Sequence, residues 1–164
     1  MLNNTTITDV QWYVYRLPFR SNFVTAHGMM ATREGAVVEV TTEEGISGIG
    51  EIAPLPQFAG GSLSEALHRL PSLAAHQYRK TLDEALASLR AGSESGRKED
   101  AVSCGLEIAL LDVLGKAKGC GMSTLLSSAG FNPRSKVAVN AVVGVKTTEK
   151  AVIGAREAVA AGFT

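Results

Sequence analysis

The stretch Glu44-Gly45-Ile46-Ser47-Gly48-Ile49-Gly50-Glu51-Ile52-Ala53-Pro54-Leu55-Pro56-Gln57-Phe58 decides how this chain folds. Glu44-Gly45 supplies a tight reversal after the Val-rich run of residues 36–40, because glycine takes backbone angles that other residues avoid. Ile46, Ile49 and Ile52 lie among glycines, a composition that lets other backbone approach a short strand closely. Pro54 and Pro56 then end the strand and hold the following residues extended. The outcome is a turn, a strand over residues 46–52 and a stiff loop carrying Leu55 and Phe58. Such a loop either packs on its own core or presses an apolar surface on something else.

Toward the N-terminus, residues 7–17 alternate loosely, with Ile7, Val10, Trp12 and Val14 set against Tyr13, Tyr15 and Leu17. This predicts a first strand, stopped by Pro18. Residues 19–28 mix polar and aromatic side chains and predict a loop ending at Gly28. Residues 33–42 predict the second strand. Short connections between neighbours favour an antiparallel meander.

Beyond residue 61 the period becomes helical. Ser62-x-x-Glu65 and Thr81-x-x-Glu84 each match a capping box, in which side chains satisfy the free amides of a helix start. The first helix is expected to reach about Leu70, where Pro71 breaks it or begins a new turn. The second carries Leu82, Ala85, Leu86 and Leu89 and is expected to end at Ala91-Gly92. The third, residues 99–118, repeats Leu106, Ala109, Leu110, Val113, Leu114 and Ala117 at helical spacing and stops at Gly119. Its Ala101, Cys104 and Gly105 are small enough for a close contact. A single short turn follows at residues 123–126. The run Val137-Ala138-Val139-Asn140-Ala141-Val142-Val143 suits a strand buried on both faces of a parallel sheet. Thr148 can then cap a helix through Ala160, with Val152, Ala155, Ala158 and Val159 inward and Gly162 as its stop.

Composition narrows the function classes. With 164 residues and 45% apolar side chains, the chain can bury a real core. Sixteen basic residues balance sixteen acidic ones, which points away from nucleic acid, an anionic membrane or a polyacidic partner. No apolar run approaches the ~20 residues that span a bilayer, and residues 1–6 lack the basic start and apolar run of a signal peptide. Cys104 and Cys120 have no metal-ligand spacing and fit small buried residues in a reducing cytoplasm.

Three motifs carry a resemblance: Gly48-x-Gly50-Glu51-x-Ala53-Pro54-Leu55-Pro56, Ala109-Leu110-Leu111-Asp112-x-x-Gly115-Lys116 and Val139-Asn140-Ala141-x-x-Gly144. With the order of elements, they resemble the front of an enolase-superfamily enzyme of the muconate-lactonising branch. The Pro-Leu-Pro-x-Phe ending and the first loop look most like o-succinylbenzoate synthases of menaquinone or phylloquinone biosynthesis. Dipeptide epimerases, N-succinylamino acid racemases and muconate cycloisomerases share much of the pattern. The resemblance implies an α+β capping domain over residues 1–132, a three-stranded antiparallel meander plus helices. It implies the first βα unit of a modified TIM barrel over residues 133–164.

The resemblance also implies a chemistry. A lysine removes the proton α to a carboxylate of a small-molecule substrate, and a Mg²⁺ ion held by three acidic residues stabilises the enediolate. In the synthase, water then leaves. In the family the lysines and metal ligands end the second and later barrel strands, which this chain does not reach. No catalytic or metal residue is therefore carried over, and the chain alone is expected to be inactive and to bind Mg²⁺ no better than any mixed-charge surface. Without barrel neighbours, residues 137–143 would stand exposed. The alternative of another class is a non-catalytic, cap-like binding module; a homo-oligomer stays open.

The resemblance maps the family's two substrate-facing cap loops onto residues 20–28 and 53–61. Phe19, Phe23, Leu55 and Phe58 would supply apolar walls. Arg20 would meet a carboxylate or solvent, and His27 the substrate's rim. Asn140, in an otherwise apolar strand, needs a partner or a substrate, because an unpaired buried amide costs about 1–3 kcal/mol. Lys116-x-Lys118 imitates the family's catalytic pair, but on a helix residues two apart diverge by roughly 200°. Both lysines suit a helix C-terminus instead. Glu51 is expected to tie the meander to its loops, and Asp112 to pair locally.

Overall fold

The reversal at Glu44-Gly45 is present in the computed structural model. Gly45 has a φ of 75°, and its N–H donates to Thr42 O at 2.9 Å. The structure describes residues 5–25, 28–56, 61–94, 101–127, 134, 136–144 and 147–163, with backbone alone at 92–94. The elements in order are β1 (Ile7–Thr25), β2 (Gly28–Thr42), β3 (Ser47–Ile52), α1 (Leu63–Gln77), α2 (Leu82–Glu94), α3 (Ala101–Lys118), α4 (Met122–Ser127) and α5 (Thr148–Ala160). The strands form one antiparallel sheet in the order β1-β2-β3, with Val38 opposite Gly50 and Val40 opposite Gly48.

Two compact units divide the chain: Met1–Arg16 with Glu34–Pro133, and Leu17–Arg33 with Arg134–Thr164. The first holds the apolar core. Ala36, Val38, Val40 and Ile52 of the sheet pack with Leu70 of α1, Leu82 and Leu86 of α2, and Leu106, Leu110 and Val113 of α3. Each large side chain removed from water contributes about 1.5–3 kcal/mol. α3 is apolar on more than one face because it is central, with β3 on one side and α1, α2 and α4 on others.

The glycines of β3 explain how close that packing is. A Cβ on Gly48 would lie 2.5 Å from Val113 N, and one on Gly50 would lie 2.9 Å from Ala109 N. Conversely, a Cβ on Gly105 would lie 2.5 Å from Ile52 Cγ1 and 2.9 Å from Glu51 O. Only glycine lets a strand backbone rest directly on a helix backbone here.

Both capping boxes form. Ser62 Oγ accepts from Glu65 N while Glu65 Oε2 accepts from Ser62 N, and Thr81 and Glu84 do the same. The linker between α1 and α2 pairs with the start of β1. Ile7 N donates to Lys80 O, Arg79 N to Ile7 O and Leu82 N to Thr5 O. Gly119, at φ 63°, ends α3.

Several elements differ from expectation. Pro18 does not stop the first strand: β1 runs to Thr25 and β2 begins at Gly28 instead of residue 33. The expected loop over residues 19–28 is therefore mostly a hairpin arm. Proline is compatible with β1 because it is an edge strand, where alternate N–H groups face away from the ladder. Pro71 does not end α1 either. It faces solvent while Leu70, Ala74 and Gln77 continue the buried stripe, so tertiary burial outweighs the lost hydrogen bond. α2 continues through Gly92 to Glu94. The N-cap of α5 is Thr147, not Thr148, and it makes no side-chain cap bond. Val152 and Val159, expected inward, are exposed, and α5 buries no residue. Residues 136–144, ahead of α5, carry no strand hydrogen bonding, and Val137 and Val142 are 71% and 86% exposed. Among the described residues no strand pairs with them, and they stand exposed, as expected of this run without barrel neighbours.

Candidate functional site

The arm is an alternating segment whose apolar side chains have little to cover them. Leu17, Phe23, Val24 and Met29 are exposed, and Phe19 is half-buried. Phe19 and Phe23 stack with ring centroids 6.0 Å apart, an arrangement that favours aromatic pairs beyond their buried area. Asn22 Nδ2 donates to Met29 Sδ at 3.1 Å and Thr25 Oγ1 to Gly28 O at 3.3 Å, joining the two strands near the tip. Gly28, at φ 127°, starts the return strand in a conformation that side-chain-bearing residues rarely take. Arg20 is exposed on the same strand.

The second expected loop begins after Ile52. Pro54 is buried and Leu55 half-buried. His27 and Phe58 lie outside the described residues. Asn140 is exposed in the extended segment before α5, so it needs no buried partner. Of the expected site residues, the structure brings together Phe19 and Phe23.

Glu51 ties strand to strand, not the meander to its loops as expected. It accepts a hydrogen bond from the Tyr15 hydroxyl, linking β3 to β1. The ring lies over Gly35 of β2, where a Cβ would come within 2.6 Å of Tyr15 Cζ and 2.8 Å of Ile52 O. Neither Tyr15 nor Gly35 stands out in the sequence, because their meeting depends on strand register. Beside them, Arg16 Nε pairs with Glu34 Oε1 at 3.0 Å across the base of the arm. Both groups are solvated, which makes the pair worth little.

Asp112 pairs locally, as expected, and also reaches the strand. Its Oδ2 accepts from Ile49 N at 2.9 Å and from Lys116 Nζ at 2.9 Å, while Lys116 Nζ also donates to Ser47 O at 2.7 Å. Burial pushes the Asp112 carboxyl upward, but the bonds from Lys116 and the Ile49 amide outweigh it and hold it below the usual carboxylate range. Lys116 is thus engaged in fastening β3 to α3.

Among the described residues, no three His, Cys, Asp or Glu side chains come together as a metal site. The described carboxylates therefore assemble no site that fits a Mg²⁺ ion. No helix there is long and apolar enough to cross a membrane.

Residues 7–113 match the family described as "MenC, N-terminal domain". A hydrophobic dipeptide epimerase of Citrifermentans bemidjiense is 29% identical over 96% of this chain and 43% of its own length. An o-succinylbenzoate synthase of Thermosynechococcus vestitus is 32% identical over 50% of this chain and 26% of its own. The crystal structure of a dipeptide epimerase from Methylococcus capsulatus, complexed with Mg and the dipeptide L-Arg-D-Lys, superposes with a TM-score of 0.80 at 22% identity. It covers 96% of this chain and 44% of that one. The chain thus spans less than half the length of these relatives.

Proposed function

The chain belongs to the MenC N-terminal domain family of enolase-superfamily capping domains, and from that premise we propose that it serves an o-succinylbenzoate synthase. That enzyme is a Mg²⁺-dependent dehydratase of menaquinone or phylloquinone biosynthesis, acting on a small-molecule carboxylate. In this reading, residues 1–132 cap a barrel that begins in residues 133–164, and the barrel supplies the lysines and the metal ligands. This chain's share is to bind and to exclude water. The observation that carries the reading is the arm, with the Phe19–Phe23 stack and its exposed neighbours Leu17, Val24 and Met29. Such a surface suits the apolar ring of a substrate held under a cap. Arg20, exposed on the same strand, is suited to a distal carboxylate. Leu55 and Phe58 would add the second loop's wall, His27 a contact at the rim, and Asn140 a polar contact from the barrel side.

A second activity, dipeptide epimerisation, has a specific observation in its favour. The epimerase of Citrifermentans bemidjiense aligns over nearly the whole chain, whereas the synthase of Thermosynechococcus vestitus aligns over half of it. Both reactions begin with removal of a proton α to a carbonyl carbon, so the cap's task is the same. Steady-state assays of the full-length protein, as its gene encodes it, separate them. Dehydration of the synthase substrate with kcat/KM at least about a hundredfold above that for any dipeptide supports the synthase. The reverse ratio assigns the epimerase, and no turnover of either rejects both.

A further inference from the structure

We propose that Tyr15 and Glu51, bonded across Gly35, form a strut that holds the roots of the arm and of the second loop together. β1 and β3 are not neighbours in the sheet, since β2 lies between them. Two strand spacings, about 10 Å, separate them, which no backbone hydrogen bond crosses. The Tyr15 phenol and the Glu51 carboxylate close that span from opposite sides. The path is open because position 35 carries no side chain: a Cβ there would collide with the ring.

The placement of the strut is what assigns its role. Tyr15 stands two residues before Leu17, where the arm's unit begins. Glu51 stands two residues before Ala53, where the second loop leaves β3. Gly-x-Gly-Glu is therefore a two-sided device. Successive residues of a strand face opposite sides, so Gly48 and Gly50 seat β3 on α3 while Glu51 points away toward Tyr15. The same short strand is thus fixed against the core on one side and to the arm's root on the other. Tyr15 and Glu51 are positioning residues, and the effect on substrate rests on the reading that both loops face it.

Hydrogen exchange and kinetics on the full-length protein test the strut. Tyr15→Phe and Glu51→Ala are expected to speed amide exchange about fivefold in residue 17, in residues 19–25 and at Ala53 and Leu55, with α3 unchanged, because the lost bond orders these roots and not the core. Glu51→Gln, which keeps an acceptor, is expected to restore slow exchange. KM is expected to rise about fivefold in the first two variants, with kcat within twofold of the parent. The double variant is expected to match the singles, as for one shared interaction. Exchange unchanged in either segment, or raised in α3 as well, overturns the strut. Faster exchange in both segments with KM unchanged leaves the strut standing and overturns the substrate-facing assignment of the loops instead.

Discussion

Gly50→Ala measures how far the β3–α3 contact depends on bare backbone. A Cβ at position 50 would lie 2.9 Å from Ala109 N and 3.0 Å from Gly105 C, with Gly105 O closer still. All three obstacles are backbone atoms of a central helix, so no flexible side chain can swing away. Overpacking a well-filled site costs about 1–3 kcal/mol, and rigid obstacles place this substitution at the upper end, about 3 kcal/mol. Replacing glycine also removes unfolded-state freedom, which offsets about 0.4–1 kcal/mol. The net loss is about 2 kcal/mol or slightly more, a large part of a total stability of about 5–15 kcal/mol. For a domain of this size that lowers Tm by roughly 6–10 °C. Far-UV circular dichroism melts of the parent, Gly50→Ala and Gly144→Ala check it. Gly144 has no atom within 4 Å of an added Cβ, so its variant should melt within about 2 °C of the parent. A Gly50→Ala protein that melts at or above the parent temperature refutes direct backbone packing.

Three further outcomes are expected. Asp112→Asn weakens two charge-assisted bonds to Ile49 N and Lys116 and should cost about 1–2 kcal/mol at neutral pH, read from urea midpoints. Because the folded-state pKa of Asp112 is depressed, its contribution is complete above the unfolded carboxylate value near 4 and is lost as pH falls through the lower folded value. The gap between parent and variant should therefore close in acid. Ser62→Ala and Thr81→Ala each remove a helix N-cap and should cost about 1 kcal/mol apiece, adding in the double variant because the caps serve separate helices. In the full-length protein, Phe23→Ala should raise KM more than it lowers kcat, since the stacked ring would bind ground and transition states alike; an unchanged KM with a collapsed kcat would contradict that role.

What could be seen in the sequence was what depends on neighbours within a few residues. The capping boxes need only a three-residue spacing, and both formed. The α3 period and its Gly119 stop are equally local. Glycines among the isoleucines of β3 pointed to a close approach, though not to α3 as the partner. The failures share one cause, which is dependence on sheet order or tertiary burial. Pro18 reads as a stop until β1 is known to be an edge strand, and Pro71 reads as a break until Leu70, Ala74 and Gln77 are seen to be buried together. Phe19 and Phe23 were legible as candidates through their place in the first loop. Tyr15 and Gly35 were not, because only the pairing of three strands brings them to Glu51.

The linker between α1 and α2 has a consequence for synthesis on the ribosome. Ile7 is hydrogen-bonded to Arg79 and Lys80, and Thr5 to Leu82. At about 5–20 residues per second, the start of β1 waits roughly 4–15 s for those partners to be made. The capping boxes of Ser62 and Thr81 are local and can form as soon as they emerge, whereas the clasp must close a long loop. The helical pair would thus be built first and the start of β1 docked afterwards. Arg79 carries a φ of 63° at that junction, a conformation that β-branched side chains tolerate poorly. Arg79→Val should accordingly delay the docking of the start of β1 more than it disturbs either helix, so that a strand made before both helices folds after them.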